Sequence, residues 1–365
     1  MICVQSPHPA GMTDCIIQRA WGCSRECRSL VQIVLHHKLP STVATHIAHF
    51  VSVPIICSGA RDGNIRVLAL DGNVELVQRI CDEGSGGIWS MCAGPQLLFV
   101  GCFNGVVCVL SASSFDVLAQ DNIETAVLSM SATSEHLACA GADGSIHLFA
   151  ILSEAPRIAH TYIFDISDAE IWCLQFGHGY LFAATDSKEL FQIAPPAGPD
   201  RTMIRHATFN ESIFCMAYHA PTFRLALGMR CSSIRVLCTK TWICFAVYNF
   251  WDDLRIEASV WAIAFAHSGT FLLAGLDASE GLLLVSPHGE TRRIVDSASL
   301  GNSNDIICLN GTWYVCQSDG CIRTLSKDFS IEAEYEIADG VLDNGNFSRV
   351  PRHDVYCMTG ILCSV

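Results

Sequence analysis

Apolar residues run in short blocks along this chain, and the blocks recur in a fixed order. Eight segments carry Ile or Val, then a variable and often aromatic residue, a mostly small residue, and a large apolar one. They read IAHF from Ile47, IWSM from Ile88, VLSM from Val127, IWCL from Ile171, IFCM from Ile213, VWAI from Val260, IICL from Ile306 and VYCM from Val355. Behind each of the first seven comes an apolar strand, a tight polar turn and a second apolar strand. Ile55–Gly59, Arg61-Asp62-Gly63-Asn64 and Ile65–Leu70 form one such unit. Leu97–Cys102, Phe103-Asn104-Gly105 and Val106–Leu110 form the next, followed by Leu137–Gly141, Ala142-Asp143-Gly144 and Ser145–Ala150. Tyr314–Gln317, Ser318-Asp319-Gly320 and Cys321–Leu325 repeat it late in the chain. Asn-Gly and Asp-Gly between apolar runs mark hairpins, because a type I′ turn needs positive φ. No long 3.6-residue periodicity competes with strands.

The segments start 39 to 49 residues apart, the period of four-stranded propeller blades. The pattern therefore predicts an all-β fold, a β-propeller of four-stranded antiparallel blades, seven or eight in number. The ring is expected to close by pairing of N- and C-terminal strands in a single domain over 1–365. Within it, 1–13 reads as a flexible start and 14–40 as strands of the closing blade. Residues 41–337 hold seven blades, and 354–365 the first strands of the closing blade. Asp14–Arg19 and Leu30–His37 are the strand-like segments at the start; seven full blades with a C-terminal extension is the other arrangement. A blade between two neighbours is buried on both faces, so its strands should be apolar throughout rather than alternating.

Composition fits that arrangement. Half of the residues are hydrophobic, 16% are charged, and the mean hydropathy is +0.34. This excludes a disordered chain. The net charge of −14 argues against a nucleic-acid binder, which needs a basic stripe to displace phosphate counterions. Gly84 to Phe115 holds no charged residue, but Gly86-Gly87, Gly94-Pro95 and Asn104-Gly105 cut it into strand-length pieces, so no membrane insertion is expected. The start of the chain shows no secretory pattern, so a cytoplasmic location is expected, with the nucleus left open. The 20 cysteines include no C-x-x-C; Cys23 and Cys27 come nearest. Most, such as Cys139, Cys173, Cys215, Cys308 and Cys357, sit inside apolar runs and read as small reduced hydrophobes. No metal and no small-molecule cofactor is expected.

These segments and hairpins resemble the WD40-repeat family across nearly the whole chain, with departures. Where a third strand would end in Trp-Asp, the chain has Leu68-Ala69, Leu110-Ser111, Phe149-Ala150 and Leu237-Cys238. Its one Trp-Asp pair, Trp251-Asp252, lies in a connection, and Gly177-His178 follows a first strand instead of preceding one. The Asp–His–Ser–Trp network of the family therefore does not carry over. Within the family, Glu170-Ile171-Trp172 and Val260-Trp261-Ala262-Ile263 with His267 resemble the diphthine methylesterase branch of diphthamide biosynthesis. Ala183-Ala184-Thr185-Asp186 stands where that branch has Gly-Gly-Asp-Asp, and its closing Ser-Phe-Tyr-Asp is missing. The resemblance implies a carboxylic ester hydrolase acting on elongation factor 2, with catalytic residues unassigned.

Sequence handles for hydrolase, nucleotide or zinc chemistry are absent: no G-x-S-x-G, G-x-x-x-x-G-K-[ST] or H-E-x-x-H occurs. The functional candidates are positional. Propeller first strands enter at one end of the channel, and at those entrances lie His46, Glu170, Glu211, Asp305, His353 and Asp354. The variable column beside them holds Trp89, Trp172, Phe214, Trp261 and Tyr356. Aromatics ringed by carboxylates suit a basic or aromatic peptide; packing between blades is the competing role for the aromatics. The connection Asn249–Glu257 adds Phe250, Trp251, Asp252 and Asp253 as a second contact. The first reading is a WD40-like scaffold subunit presenting its rim to protein partners in a larger complex; the ester hydrolase is the second.

Overall fold

Each hairpin signal becomes two neighbouring strands of an antiparallel sheet. In a computed structural model, the described residues are 15–21, 27–38, 50–60, 63–68, 74–80, 87–94, 96–112, 114–155, 157–194, 202–277, 280–286, 290–295, 303–309, 312–317, 321–326 and 329–336. Six sheets have four strands in chain order: blade 1 (88–122), blade 2 (127–165), blade 3 (171–208), blade 4 (213–249), blade 5 (260–295) and blade 6 (303–336). The turn glycines meet their backbone requirement; Gly105 takes φ +89° between the second and third strands of blade 1.

The number of blades corrects the sequence expectation: the described residues form six four-stranded blades, not seven or eight. The remaining sheet has five strands, ordered Cys15–Trp21, Cys27–Lys38, Phe50–Ala60, Asn64–Leu68 and Val74–Arg79. The C-terminal strands of the expected closing blade, 354–365, lie outside the described residues. Cys27–Lys38 pairs antiparallel with Phe50–Ala60, its Val31 opposite Cys57, and the first hairpin lies against the inner strands of blades 1 and 6. The physical reason is length: a twelve-residue strand, apolar at half of its positions, pairs along all of Phe50–Ala60, so the N-terminal hairpin joins the first hairpin unit. The segment at Ile47, the start at 1–13 and the segment at Val355 lie outside the described residues.

The seventh segment is also shifted. In blades 1 to 5 the first residue of the segment opens the inner strand, as Ile88 pairs with Cys102 and Val260 with Leu276. In blade 6 that position belongs to Ser303, opposite Gln317, three residues before Ile306. Asp305 thus lies inside the strand, 2% exposed, rather than at its entrance.

The core lies between blades. One cluster joins Leu97, Phe99 and Val109 of blade 1 to Val127, Met130 and Cys139 of blade 2; another joins Ala138 and Leu148 of blade 2 to Ile171 and Leu174 of blade 3. Both faces of the second and third strands are buried, which accounts for their unbroken apolar runs. The approach is close: a Cβ on Gly101 would sit 2.4 Å from Val127 Cγ1 and 2.6 Å from Met130 Sδ. The inner strands are also tied across the seam, as Leu174 N–H donates to Ser129 Oγ at 3.0 Å and Phe176 N–H to Ser131 Oγ at 3.1 Å. Among the described residues no helix is long and apolar enough to cross a membrane.

Candidate functional site

Every inner strand of the six blades breaks register after its first residue. Ile88 pairs with Cys102 but Ser90 with Gly101, and the same skip follows Val127, Ile171, Ile213, Val260 and Ser303. The skipped residues are Trp89, Leu128, Trp172, Phe214, Trp261 and Asn304. A bulge residue leaves the ladder, and its side chain is aimed out of the sheet plane that its neighbours follow. Here the first five side chains form one cluster. Residues from five blades meet in one cluster only around the ring axis, so they close one end of the channel. Phe214 stands between Trp172 (centroids 5.8 Å) and Trp261 (5.0 Å, nearly parallel), while Trp89 packs on Phe103 at 5.0 Å.

A repeated backbone bond frames this channel mouth. The first residue of the turn behind the second strand donates its N–H to the carbonyl just before the inner strand: Phe103 to Gly87, Ala142 to Ala126, Asp186 to Glu170 and Arg230 to Ser212. In blade 5 the Asp277 carboxylate replaces it, accepting from Ser259 N–H at 2.8 Å and from the Trp261 indole N–H. The turn position thus places Phe103, Asp186, Arg230 and Asp277 beside the aromatic cluster. Burial pushes the Glu170 carboxyl above its ordinary range, and the Asp186 charge pushes it further. Glu211 Oε2 is buried with no hydrogen-bond partner. Four carboxylates and one guanidinium surround the mouth.

The sequence expectations fare unevenly here. Glu170 and Glu211 lie at strand entrances as expected. Trp89, Trp172, Phe214 and Trp261 come together but are only 5% to 9% exposed, so they form the floor of the mouth and not its accessible rim. Asp305 is buried in its strand, with Oδ1 accepting from Ile306 N–H at 2.5 Å. His46, His353, Asp354 and Tyr356 lie outside the described residues. Asp186, Arg230 and Asp277 were missed; their constant place one residue after the second strand was the available signal.

The second contact is split. Phe250 opens a one-turn helix, Phe250–Leu254, whose first N–H groups are capped by Asn249 Oδ1 accepting from Trp251 N–H at 3.1 Å. That turn buries Phe250 fully among Tyr248, Ile256 and Ile263 and leaves Trp251 and Asp252 exposed. Of Asp253 only the backbone is described.

Nucleophilic chemistry finds no support in the contact that most suggests it. On blade 2, Ser145 Oγ donates to Asp143 Oδ1 at 2.6 Å, and His147 Nε2 lies 3.1 Å from the same Oγ. The serine proton is already given to the aspartate, so the imidazole must donate. A nucleophilic serine needs the reverse order, with the ring accepting. Burial and the nearby His160 hold the His147 pKa below its ordinary value, and the site reads as a structural relay on one blade. Among the described residues no group of three or more His, Cys, Asp or Glu side chains has metal-ligating geometry.

No protein-family model matches the chain, and no curated protein matches its sequence. Solved structures do match its fold. Similar chains include the computationally designed Ika8 protein, 15% identical, covering 77% of this chain and 83% of that one with a TM-score of 0.58. The WD40 β-propeller domain of Doa1 is 16% identical, with 74% and 88% covered and a TM-score of 0.59. Sqt1 of Saccharomyces cerevisiae is 12% identical, with 78% and 83% covered and a TM-score of 0.62. At these identities the likeness is one of fold: this chain is a WD40-like β-propeller in architecture. The diphthine methylesterase resemblance gains nothing from them.

Proposed function

We propose that this β-propeller is a protein-interaction scaffold whose acidic channel mouth holds a lysine- or arginine-bearing segment of a partner protein. The observation that carries this reading is the aromatic floor of Trp89, Leu128, Trp172, Phe214 and Trp261 beside Glu170, Asp186 and Glu211. Burial and the Asp186 charge raise the cost of ionising Glu170, and a cation at this place offsets that cost. A buried carboxylate oxygen on Glu211 supplies an acceptor for the same donor, and buried acceptors are costly until they are met. The aromatic faces below favour a cation electrostatically. The reduced, mostly buried thiols suit a cytoplasmic or nuclear setting.

Titration of the purified chain with a fluorescent lysine- and arginine-rich peptide tests the reading. The peptide binds the unaltered chain, and the double variant Glu170→Gln with Asp186→Asn weakens binding about tenfold or more. Binding also weakens as the pH falls, at a higher pH than an ordinary glutamate would give, because the raised Glu170 pKa protonates it sooner. Equal affinity of the unaltered and double-variant chains overturns the proposal.

A further inference from the structure

The outermost strand of a blade presents an unpaired backbone edge, which proteins blunt with charge, proline or bulges. Six of the seven outer strands here follow that rule by carrying charge: Val74–Arg79, Val117–Asn122, Ile158–Asp165, Met203–Thr208, Thr291–Val295 and Ile331–Glu336 each hold at least one Asp, Glu, Lys or Arg. The outer strand of blade 4, Cys244–Asn249, reads CFAVYN and holds none. Its exposed side chains are apolar on both faces of the edge: Ile243 is 65% exposed, Phe245 56% on the blade 5 side, Val247 56% on the blade 3 side opposite Arg235 and, past the strand end, Trp251 47%.

The surroundings of this edge are basic in an otherwise acidic chain. From Ser212 to Trp251 there is no Asp or Glu, and Arg224, Arg235 and Lys240 fall within it besides Arg230 of the channel mouth; the exposed Asp252 follows Trp251. Arg224 lies 4.2 Å over the Phe245 ring, Lys240 is exposed on the turn that leads into the strand, and Arg255 lies 5.8 Å from the Trp251 ring. A shallow cleft opens beside the strand at the seam with blade 5, lined by Arg224, Phe245, Tyr248, Phe265 and Leu272. Leu237 pairs with Cys244 and Val236 with Ala246, so Phe245 is the extra residue of a bulge. The bulge presents Phe245 to the cleft, and Ala246–Asn249 continues as regular strand beyond it.

We infer that the blade 4 edge is a second docking surface, which takes an extended acidic segment of a partner protein with apolar and acidic side chains on both of its faces. Backbone groups of Ala246–Asn249 pair with the added strand, as in other cases of strand addition. On the blade 5 face the segment sets an apolar side chain against Phe245 and a carboxylate toward Arg224; on the blade 3 face it sets an apolar side chain against Val247 and a carboxylate toward Lys240, which lies over Phe223. Charge selects this occupant, since an equally apolar basic segment would be repelled here and drawn to the channel mouth.

The test uses the full chain and two synthetic peptides of nine residues, one repeating Glu-Glu-Val-Phe, the other with Lys in place of Glu. Fluorescence anisotropy is expected to show the acidic peptide binding. Phe245→Asp and, separately, Lys240→Glu should each weaken it about tenfold, with circular dichroism unchanged. Both variants leave the channel mouth intact, so basic-peptide affinity there reports separately on the proposed function. Failure of the acidic peptide to bind, or binding to both variants as tight as to the unaltered chain, overturns the inference. So does light scattering that shows the unaltered chain as a dimer which Phe245→Asp turns into a monomer, because the edge is then covered by a second copy.

Discussion

At the scale of single residues, the ring is set by what faces the opening of the next inner strand. Gly101 faces Val127, Gly275 faces Ser303, and Ala184 packs with Ile213. A small residue on one second strand admits the first residue of the following blade. The variable aromatic column was legible as a pattern but not as a burial state: nothing in IWSM or IWCL says whether Trp points to solvent or to other aromatics. That depends on a register skip which only the paired strand reveals. Phe250 and Trp251 make the same point, because a single Asn cap turns two neighbouring aromatics to opposite environments. Gly101→Ala puts a methyl group against Val127 and Met130, whose side chains are fully buried. Overpacking of this kind costs about 1–3 kcal/mol. Denaturant unfolding should show a lower midpoint with an unchanged slope, and an unaltered midpoint would mean that the seam has slack.

At the scale of strands and blades, the hairpins were the most legible feature, since turn chemistry and strand runs are local. The six four-stranded blades start at Ile88, Val127, Ile171, Ile213, Val260 and Ser303, and five of those starts match the repeat segments. The miscount came from the ends. Three strands follow Ile47, namely Phe50–Ala60, Asn64–Leu68 and Val74–Arg79, but the N-terminal hairpin pairs onto the first of them and makes a five-stranded sheet, and Val355 lies outside the described residues. The three-residue shift in blade 6 has a different origin: Ile306 and Ile307 imitate the motif, while the hairpin turn fixes the register from the other side. Inner strands have their own edge problem, met in blades 2 and 3 by serine hydroxyls that accept from the next strand's N–H groups. Replacing Ser129 and Ser131 with Ala leaves those donors without their partners. Each loss costs about 1–3 kcal/mol. The double variant should melt earlier, with hydrogen exchange faster at Leu174 and Phe176 than elsewhere; uniform exchange would argue that the two bonds carry no special part of the seam.

At the scale of the whole molecule, composition and fold explain each other. The high apolar fraction fills the seams between sheets, which leaves the sparse charge for turns and outer strands. Its distribution is uneven: carboxylates gather at the channel mouth, and blade 4 holds only cations between Ser212 and Trp251. The net charge of −14 hid both facts, because a sum over the chain says nothing about which end of a strand a residue occupies. Function was the least legible level, as a fold shared with proteins 12% to 16% identical constrains architecture and leaves partners open. The central claim is that a basic segment sits on the aromatic floor of the channel mouth. Hydrogen exchange of the chain with and without a lysine- and arginine-rich peptide tests it most directly. Protection is predicted at the inner-strand entrances and adjoining turns, around Glu170–Trp172, Asp186, Glu211–Phe214 and Arg230. Protection confined to outer strands, or none at saturating peptide, would contradict it.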